Sequence, residues 1–165
     1  MPNSNSRDSK TGVRTLGVIS DTHGLLRPEV LPLFKGVDLI LHGGDIGSLD
    51  VLEQLRSIAP VVAVRGNNDN APWAREIPDC ETMKFGRVRI YMLHDLKTMK
   101  ETVALTDFHV VVSGHSHRPL LERRNGVLFV NPGSAGPRRF KLPVSVARLN
   151  IQGSSVKAKL IGVAD

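Results

Sequence analysis

The sequence predicts an α/β fold with two packed sheets, in which the first half of the chain forms a parallel core and the second half is rich in β-strands. In the first half, short and continuously apolar runs alternate with segments of helical character, a pattern typical of βαβ units around a parallel core. In the second half, apolar runs are joined by two-residue links that contain glycine, which indicate β-hairpins. Together the two patterns favour two packed sheets in one layered domain.

Six runs have the length and the Val, Ile and Leu content of strands. Their apolar residues are continuous rather than alternating, which indicates strands that are covered on both faces. In chain order, the predicted strands are Thr15–Ser20, Val37–His42, Val61–Val64, Val88–Leu93, Val110–Ser113 and Val127–Asn131.

Three segments are predicted to be helices. Pro28–Phe34 begins with a proline, which is favoured in the first turn of a helix. Leu49–Ser57 follows Ser48, a residue type that caps helix N-termini. The third predicted helix, Lys97–Leu105, lies in the second half of the chain.

Three pairs of apolar runs are predicted to form hairpins, because a two-residue link with glycine separates the members of each pair. The links are Gly86–Arg87, Asn125–Gly126 and Gln152–Gly153. Asn-Gly is the strongest of these signals, since both residues accept the positive φ angles of a type I′ turn. The hairpins add four strands to the six above, at Glu81–Phe85, Leu120–Arg124, Val144–Asn150 and Ser155–Leu160.

The chain of 165 residues is expected to form a single domain over residues 14–165, preceded by a flexible polar extension over residues 1–13. Its one cysteine, Cys80, cannot form an internal disulfide, which argues against a disulfide-stapled secreted fold. No apolar run approaches the ~18 residues of a membrane span, and the first residues lack the apolar block of a signal peptide. We therefore expect a cytoplasmic protein that does not cross a membrane.

The formal net charge is +6, and a basic surface attracts anions, nucleic acid included. The pairs Arg123–Arg124 and Arg138–Arg139, the second with Lys141 nearby, are too short to count as basic tracts. Only 4% of the residues are aromatic, and no motif interleaves stacking side chains with the charges. The charge is interpreted as a solvated basic face, and nucleic-acid binding stays open but without support.

Polar residues gather directly after five of the predicted strands. In open α/β sheets, ligands bind at the carboxyl ends of the strands, so side chains that follow different strands are expected to converge there. The segments concerned are Asp21-Thr22-His23, Gly43-Gly44-Asp45, Arg65-Gly66-Asn67-Asn68-Asp69, His94-Asp95 and Gly114-His115-Ser116-His117.

Carboxylate, imidazole and amide groups that converge at one edge are suited to bind a divalent metal. In extended backbone, residues i and i+2 point the same way, so both members of Asp21-x-His23 and of His115-x-His117 can reach one cluster. Seven candidate ligands are too many for one tetrahedral zinc, and two adjacent metals account for the number better. The candidates are Asp21, His23, Asp45, Asn67, His94, His115 and His117.

Each of these segments, taken alone, has an ordinary explanation. An aspartate after a strand, such as Asp21 or Asp45, often caps the next helix. A lone histidine such as His94 is often a hydrogen-bonded core residue. Their occurrence in order, each at the end of a strand, favours a shared metal site over these separate explanations.

These residues and their order resemble the motif set of the calcineurin-like metallophosphoesterase superfamily. The matching motifs are Asp21-x-His23, Gly44-Asp45, Gly66-Asn67-x-Asp69, His94 and Gly114-His115-x-His117. The small size and the segment Asn131-Pro132-Gly133-Ser134 look most like the compact phosphodiesterase branch of bacteria and archaea, and the resemblance runs from Thr15 to Ala158. It implies a four-layer α/β/β/α sandwich of two mixed sheets with a dinuclear metal centre.

By this resemblance, the seven candidate ligands divide between two divalent ions. Asp21, His23 and His117 hold the first ion, Asn67, His94 and His115 hold the second, and Asp45 bridges them. Mn²⁺ is the expected metal, with Fe, Zn and Ni as alternatives.

The resemblance further implies a phosphoesterase, acting on phosphodiesters, in which a hydroxide that bridges the two metals attacks phosphorus in line. A small phosphate ester is the expected substrate, and Arg65, Asn67 and Asn68 are the expected phosphate contacts. Two positions depart from the family pattern. Asn68 stands where many members carry a histidine proposed to protonate the leaving group, and Asp95 stands where glycine usually follows the ligand matched by His94. The cellular substrate and the oligomeric state, a homo-oligomer included, are left open.

Two other functions are weighed against this one. The first is a catalytically weak scaffold of the same fold that binds a protein partner, as the small phosphoesterase-like subunit of retromer does. The second is a dinuclear hydrolase of amides or lactones, whose His-x-His-x-Asp-His spacing is absent from this sequence. A competent residue at every ligand position favours the phosphoesterase.

Overall fold

A computed structural model describes residues 12–164 of the protein. The predicted flexible extension lies outside the described residues except for Gly12 and Val13. Within that range there are ten strands and two α-helices. The strands are β1 (Arg14–Ile19), β2 (Leu39–His42), β3 (Val61–Ala63), β4 (Cys80–Phe85), β5 (Val88–Leu93), β6 (Val110–Val112), β7 (Leu120–Arg124), β8 (Val127–Asn131), β9 (Ser145–Gln152) and β10 (Ser155–Gly162). The helices are α1 (Val30–Leu33) and α2 (Leu49–Arg56), and single turns of 3₁₀-helix lie at Pro72–Ala74, Leu96–Thr98 and Leu105–Asp107.

The first sheet has the strand order β10-β9-β1-β2-β3. Strands β1, β2 and β3 run parallel, which confirms the parallel core predicted from the first half of the chain. On the other side of β1, β9 and β10 form an antiparallel hairpin. Its turn residues are Gly153 and Ser154 rather than the predicted Gln152–Gly153, because β9 stays paired as far as Gln152.

The second sheet has the strand order β4-β5-β6-β8-β7. Its central strands β5, β6 and β8 run parallel, and β4 and β7 pair with it antiparallel at the two edges. The hairpins predicted at Gly86–Arg87 and Asn125–Gly126 are both present. Asn125 and Gly126 have φ angles of 51° and 82°, the left-handed conformation that a type I′ turn requires of both residues.

Apolar side chains fill three layers around the two sheets. The layer between the sheets takes Leu16 and Val18 from β1 and Ile90 and Met92 from β5. A second layer lies between the first sheet and the two helices, and a third lies between the second sheet and residues 96–108. The predicted sandwich of two mixed sheets is confirmed, although its fourth layer consists of 3₁₀ turns rather than an α-helix.

The predicted helix Lys97–Leu105 is wrong. The chain forms single 3₁₀ turns at Leu96–Thr98 and Leu105–Asp107, and this described stretch contains no α-helix. The Thr98 hydroxyl donates to the Asp95 carbonyl at 2.6 Å, so a side chain competes for the backbone acceptors that a helix would use. The apolar residues of this segment instead cover the outer face of the second sheet.

The other two predicted helices are present in different lengths. Leu49–Ser57 is confirmed as α2, which begins after Ser48 and ends at Arg56. Pro28–Phe34 shrinks to the single turn α1, since Pro32 within it has no N–H to donate. None of the helices over residues 12–164 is long and apolar enough to cross a membrane.

Backbone hydrogen bonds bring the loops that follow β1, β2, β5 and β6 to one edge of the sandwich. Asp21 N donates to Gly44 O at 2.9 Å, which joins the loops after β1 and β2. Gly114 N donates to His94 O at 2.9 Å, which joins the loops after β6 and β5. His115 N donates to the Asp21 carboxylate at 3.0 Å. This last bond connects the two sheets at the edge where the polar residues gather.

Candidate metal centre

Five of the seven predicted ligands lie in direct proximity, and they are called the Asp21 cluster here: Asp21, His23, Asp45, His94 and His117. The closest approach to Asp21 Oδ1 is that of His117 Nε2 at 3.3 Å. His94 Nε2 and His23 Nε2 lie 3.8 Å and 3.9 Å from that oxygen. Asp45 Oδ2 is 3.2 Å from His94 Nε2 and 3.8 Å from His23 Nε2.

The cluster contains two groups of three ligand atoms, and within each group all atoms lie within 4.8 Å of one another. One group comprises Asp21, His23 and His117, and the other comprises Asp21, Asp45 and His94. Asp21 belongs to both groups, while the Asp45 carboxylate reaches a histidine of each. Adjacent groups that share a carboxylate suit two divalent ions a few ångströms apart.

Three buried polar atoms of the cluster have no hydrogen-bond partner among the described residues. They are Asp21 Oδ1, His94 Nε2 and His117 Nδ1. Leaving such an atom unpaired in the interior costs about 1–3 kcal/mol, and folded proteins rarely tolerate it without a reason. A cation between the carboxylates and the imidazoles would satisfy the Asp21 oxygen and the His94 nitrogen, so these residues fit a divalent metal site.

The orientation of His94 is fixed by the backbone. Its Nδ1 donates to Gly43 O at 2.7 Å, which leaves Nε2 directed at the two carboxylates. Burial would lower the pKa of His94, but Asp45, Asp21 and the Gly43 carbonyl outweigh that effect and raise the pKa above its ordinary value. The same negative surroundings that favour a proton on Nε2 favour a metal cation there.

Asp45 is held as a carboxylate by Asn68. The backbone N–H of Asn68 donates to Asp45 Oδ1 at 2.9 Å, and its side-chain amide donates to Oδ2 at 3.0 Å. Burial would raise the pKa of Asp45, but the adjacent His94 imidazole and the donors from Asn68 hold that pKa below its ordinary value. In this structure, the amide that was expected to contact phosphate is turned onto Asp45.

Asp69 connects the loop that carries Asp45 to the loop that carries Asn67. Its buried carboxylate accepts hydrogen bonds from the backbone N–H groups of Ile46, Gly47 and Gly66 at 2.9–3.2 Å. The sequence motif included Asp69, yet sequence reasoning gave it no role. The signal was its place in a short loop, where an aspartate commonly captures backbone donors.

His42 forms a neutral link beneath the cluster. Gly44 N donates to its Nδ1 at 3.1 Å, so Nε2 carries the proton and donates to Thr22 Oγ1 at 3.0 Å. The Thr22 hydroxyl then donates to Ile46 O at 2.8 Å. Complete burial, with a contribution from His94, lowers the pKa of His42 to about 3. The uncharged ring thus ties the loop of Asp21 to the loop of Asp45.

Five of the seven candidate ligands adopt left-handed backbone, with φ between 47° and 70°. Such angles are uncommon for residues other than glycine, and each costs on the order of 1–3 kcal/mol unless its surroundings compensate. Their concentration in a few short loops is typical of functional sites. The residues are Asp21, His23, Asp45, His115 and His117.

His115 and Asn67, the other two predicted ligands, lie at the rim. The His115 side chain is 44% exposed, and its Nε2 faces Asp95 Oδ2 at 3.6 Å. Asn67 is exposed and borders the same cavity as His94 and His115. The structure does not include either residue in the two compact ligand groups, and their metal-binding role stays a prediction.

Arg65, an expected phosphate contact, is held in an ion pair in this structure. Its guanidinium donates to Asp79 Oδ1 through Nη2 at 2.8 Å and Nε at 3.0 Å. The Asp79 side chain is 77% exposed, so the pair lies in solvent at the entrance of a cavity.

Residues from the turn after β8 support the loops of the cluster. Ser134 Oγ donates to Asp21 O at 3.0 Å, and Asn131 Nδ2 donates to Gly114 O at 2.9 Å. Both bonds go to backbone carbonyls, so these side chains fix the loops rather than the ligand side chains.

Two cavities open at the rim, and Asp95 and His115 line both of them. The Lys100 cavity, of about 780 Å³, is bordered further by Arg65, Asn67, Cys80, Tyr91, His94 and Lys100. The Arg118 cavity, of about 880 Å³, is bordered further by Lys97, Ser116, Arg118, Asn131, Leu142 and Pro143. His115 and Asp95 therefore border both spaces, and the Lys100 cavity also reaches His94 of the Asp21 cluster.

The chain is similar to known proteins in both sequence and structure. The profile of the calcineurin-like phosphoesterase superfamily domain matches residues 15–154. The chain is 34% identical over 164 residues to a probable metallophosphoesterase of Methanocaldococcus jannaschii, a match that covers 93% of this chain and 84% of the relative. It is 29% identical over 170 residues to the phosphodiesterase YfcE of Escherichia coli K12, covering 84% and 89% of the two chains.

Among solved structures, the fold is similar to that of vacuolar protein sorting 29 from Cryptosporidium parvum. The TM-score is 0.73 at 19% sequence identity, over 93% of this chain and 99% of the other. At such low identity the likeness describes the arrangement of the two sheets and nothing further.

Proposed function

Because the chain belongs to the calcineurin-like phosphoesterase superfamily, we propose that it is a metal-dependent phosphodiesterase that binds two divalent ions at the Asp21 cluster. The proposal depends above all on two buried polar atoms without a hydrogen-bond partner, Asp21 Oδ1 and His94 Nε2, which lie 3.8 Å apart. A cation is the partner that this donor set lacks. One relative is named a probable metallophosphoesterase and another a phosphodiesterase, which supports the same activity here.

The ligand assignment is the one that the family resemblance implies, and the Asp45 carboxylate, which lies near a histidine of each compact group, is compatible with it. Asp21, His23 and His117 would hold one ion; Asp45 and His94, joined by Asn67 and His115 from the rim, would hold the other, with Asp45 between the two. Burial lowers the pKa of His117, so its imidazole is neutral and keeps a lone pair for coordination. Carboxylate, imidazole and amide donors suit Mn²⁺, Fe²⁺ and Zn²⁺, and Mn²⁺ is the proposed metal.

When bound, the two ions supply positive charge for the phosphate oxygens and make water acidic enough to act as the nucleophile in an in-line attack. The residues of the chain prepare this chemistry in advance. Asn68 keeps the Asp45 carboxylate ionised, and the Gly43 carbonyl turns His94 Nε2 toward the ions. Asp69 fixes the loops of Asp45 and Asn67 relative to each other, so the ligands need not reorganise during turnover.

The residue at position 68 limits the leaving groups that the protein can release. Asparagine has no proton to transfer, and the Asn68 amide is already committed to Asp45. Protonation by a positioned side chain commonly contributes 10²–10⁴-fold to a rate. Among phosphodiesters, aryl esters, whose leaving group is stable as an anion, should therefore be hydrolysed faster than esters of sugar or other alkyl hydroxyls.

A diester rather than a monoester fits the two cavities. Each cavity is large enough for an organic group, and His115 and Asp95 border both. A phosphate bound at the cluster could direct one ester group into each cavity, whereas a monoester would fill one cavity only.

The scaffold alternative is less well supported by these observations. A protein that only binds a partner gains nothing from unpaired buried atoms or from strained backbone at the ligand positions. Selection for stability alone would remove both features.

The experiment is to measure metal content and hydrolysis together in the protein as purified. We expect bound divalent metal by elemental analysis and faster hydrolysis of bis(p-nitrophenyl) phosphate than of p-nitrophenyl phosphate. Asp45→Asn should lower the diester rate by about 10²-fold or more and reduce bound metal, because the carboxylate that would hold the two ions is replaced by a neutral amide. Asparagine tolerates left-handed backbone, so this variant tests the carboxylate and not the fold.

The matched control is Asp50→Asn, which changes an exposed aspartate on α2. It should keep both metal content and rate. Full diester hydrolysis by Asp45→Asn, or hydrolysis that survives metal removal by a chelator, would overturn the proposed function.

A further inference from the structure

One aromatic side chain is held almost completely in solvent beside the metal centre. Phe140 is 91% exposed, whereas no other large apolar residue among residues 12–164 exceeds 44%. Its φ angle of 53° lies in the left-handed region, where a bulky residue is an outlier. A single exposed apolar residue is ordinary, but a strained backbone that presents a whole ring to water suggests a ligand outside the fold.

Phe140 is at the tip of a short turn. Leu142 N donates to Arg139 O at 3.1 Å, which closes a four-residue turn with Phe140 and Lys141 in the middle. The cationic residues Arg139 and Lys141 therefore precede and follow Phe140 within the turn. Sequence reasoning regarded this basic run as too short, because sequence alone does not reveal that the turn displays its aromatic residue.

The turn is attached to the Asp21 cluster by the segment that precedes it. Ala135 N donates to Ser20 O at 3.0 Å, directly before Asp21. A Cβ at Gly136 would lie 2.4 Å from Thr22 O, so the two backbones are in close contact. The turn begins at Arg139, three residues after Gly136. Because Gly136 contacts the backbone next to Asp21, the turn lies near the candidate metal centre.

Positive charge accompanies the exposed ring. Arg139 and Lys141 are exposed, and neither side chain makes a hydrogen bond or ion pair within residues 12–164. Arg118, also exposed, lies on the chain just after His117.

The Arg118 cavity joins this turn to the candidate metal centre. Leu142 and Pro143, at the end of the turn, line the cavity together with His115 and Arg118. Its volume of about 880 Å³ is within the usual range for sites of small organic ligands. The one carboxylate in its wall, that of Asp95, faces the His115 ring.

We propose that this turn makes the protein selective for phosphodiesters that carry a nucleobase, with the base stacked on Phe140 and the phosphates contacted by Arg139 and Arg118. The proposal rests on the proposed function and names its substrate class. Every base offers a π-face, so stacking on an aromatic side chain needs no particular sequence. Guanidinium groups bind phosphate oxygens in a bidentate manner.

A lipid surface is the less suitable ligand for the same turn. Insertion into a membrane interface requires an extended apolar face, and here one ring stands between two cationic residues. The adjoining cavity and metal centre are also unnecessary for docking on a bilayer, while both have a place for parts of a nucleotide.

Binding can be measured without catalysis by using a fluorescein-labelled hexathymidylate whose phosphorothioate linkages resist hydrolysis. In fluorescence anisotropy with the full chain as purified, we expect Phe140→Ala to weaken binding about 5- to 100-fold, the effect of losing a stacked base. Phe140→Leu should weaken binding as much as Phe140→Ala, because leucine has no π-face, and Phe140→Trp should keep the affinity of the unmodified protein. The control Leu31→Ala, which removes an exposed leucine on α1, should leave binding unchanged.

The salt dependence tests the arginine. For a single strand, each phosphate contact contributes about 0.7 to the slope of log K against log salt concentration. Arg139→Gln should lower the slope by about that amount. Arg56→Gln, an exposed arginine at the end of α2, should leave the slope unchanged.

The size of the ligand is determined by competition with unlabelled thymidylyl-thymidine. If this dinucleotide displaces the labelled probe as well as unlabelled hexathymidylate does at the same molar concentration, the ligand is a small nucleotide. If unlabelled hexathymidylate displaces the probe and the dinucleotide does not, the ligand is a single strand. Either result supports the proposal.

Three results would overturn it: unchanged binding by Phe140→Ala, full affinity in Phe140→Leu, or Phe140-dependent binding to phosphatidylglycerol vesicles without binding to the oligonucleotide. These results are distinct from a failure of the proposed function. If the protein binds the oligonucleotide but hydrolyses no diester, the nucleobase site stands and the proposed phosphodiesterase activity is wrong. If it hydrolyses diesters but does not bind the oligonucleotide, the activity stands and the nucleobase site is wrong.

Discussion

Two aspartates stabilise the loop between β3 and β4 at the edge of the site, and they do so in opposite surroundings. Asp69 is 3% exposed and accepts three backbone N–H groups. Asp79 has a 77% exposed side chain and pairs with the guanidinium of Arg65. The comparison shows that the floor of the site is fixed by buried backbone donors, whereas its rim is held by an ion pair that solvent weakens.

The largest effect is expected from breaking the buried arrangement with Asp69→Ala. Up to three backbone donors lose their acceptor, and an unsatisfied buried donor costs about 1–3 kcal/mol. We expect the free energy of unfolding of the metal-free protein, measured in urea, to fall by about 3 kcal/mol or more. The diester rate should fall more than about tenfold, because the loops of Asp45 and Asn67 are no longer fixed to each other.

Asp69→Asn serves as the matched variant, because it keeps one carbonyl acceptor of nearly the same shape. Its loss of stability should be clearly smaller than that of Asp69→Ala. Equal stability of Asp69→Ala and the unmodified protein would contradict the assigned role of this carboxylate.

A smaller effect is expected from His42, and it depends on pH. The pKa of His42 is lowered to about 3 in the folded protein, while an unfolded chain has a value near ~6.5. Between these values the unfolded state binds a proton that the folded state does not. The contribution of His42 to stability is therefore complete above about pH 6.5 and decreases as the pH falls toward 3, by up to ~1.4 kcal/mol per pH unit.

The measurement is urea unfolding of the metal-free protein between pH 7 and pH 4.5. His42→Gln should be less stable at pH 7 but should lose stability less steeply on acidification. His109→Gln, at a half-buried histidine outside the cluster, should keep the slope of the unmodified protein. If His42→Gln shows that same slope, the neutral link described here is not the cause of the pH dependence.

The smallest effect is expected at the rim. Asp79→Asn removes an exposed ion pair, and such pairs contribute about 0–1 kcal/mol. We expect a change in unfolding free energy below about 0.5 kcal/mol. The KM for a diester should fall up to about twofold, because the freed Arg65 can then contact phosphate. A loss of stability as large as that of Asp69→Ala would remove the distinction between floor and rim.

The convergence of the candidate ligands depends on the order and direction of the strands, and for that reason it could be predicted from the sequence. Continuous apolar runs identified the parallel strands, and parallel strands deliver their following residues to one edge. That was sufficient to bring Asp21, Asp45 and His94 together. The helix predicted at Lys97–Leu105 was wrong because the conformation of this segment depends on its individual contacts with the second sheet. Such contacts leave no strong pattern in the local sequence.

Other features of the site depend on how loops close against one another, and the sequence did not reveal them. Asn68 was expected at the phosphate, yet its two N–H donors are on Asp45. The backbone donors to Asp69 and the exposure of Phe140 likewise result from contacts between loops that are distant in sequence. Patterns of residue type indicate which groups are available but not which of them a neighbouring loop will occupy.

The left-handed backbone at five candidate ligands also restricts how this site can drift during evolution. Asparagine and glycine accept such angles, and both are one nucleotide change away from aspartate codons. Valine or isoleucine at the same positions would strain the chain. A descendant that loses its ligands through asparagine or glycine would therefore keep its loops intact, and the emptied edge would be available for a new role.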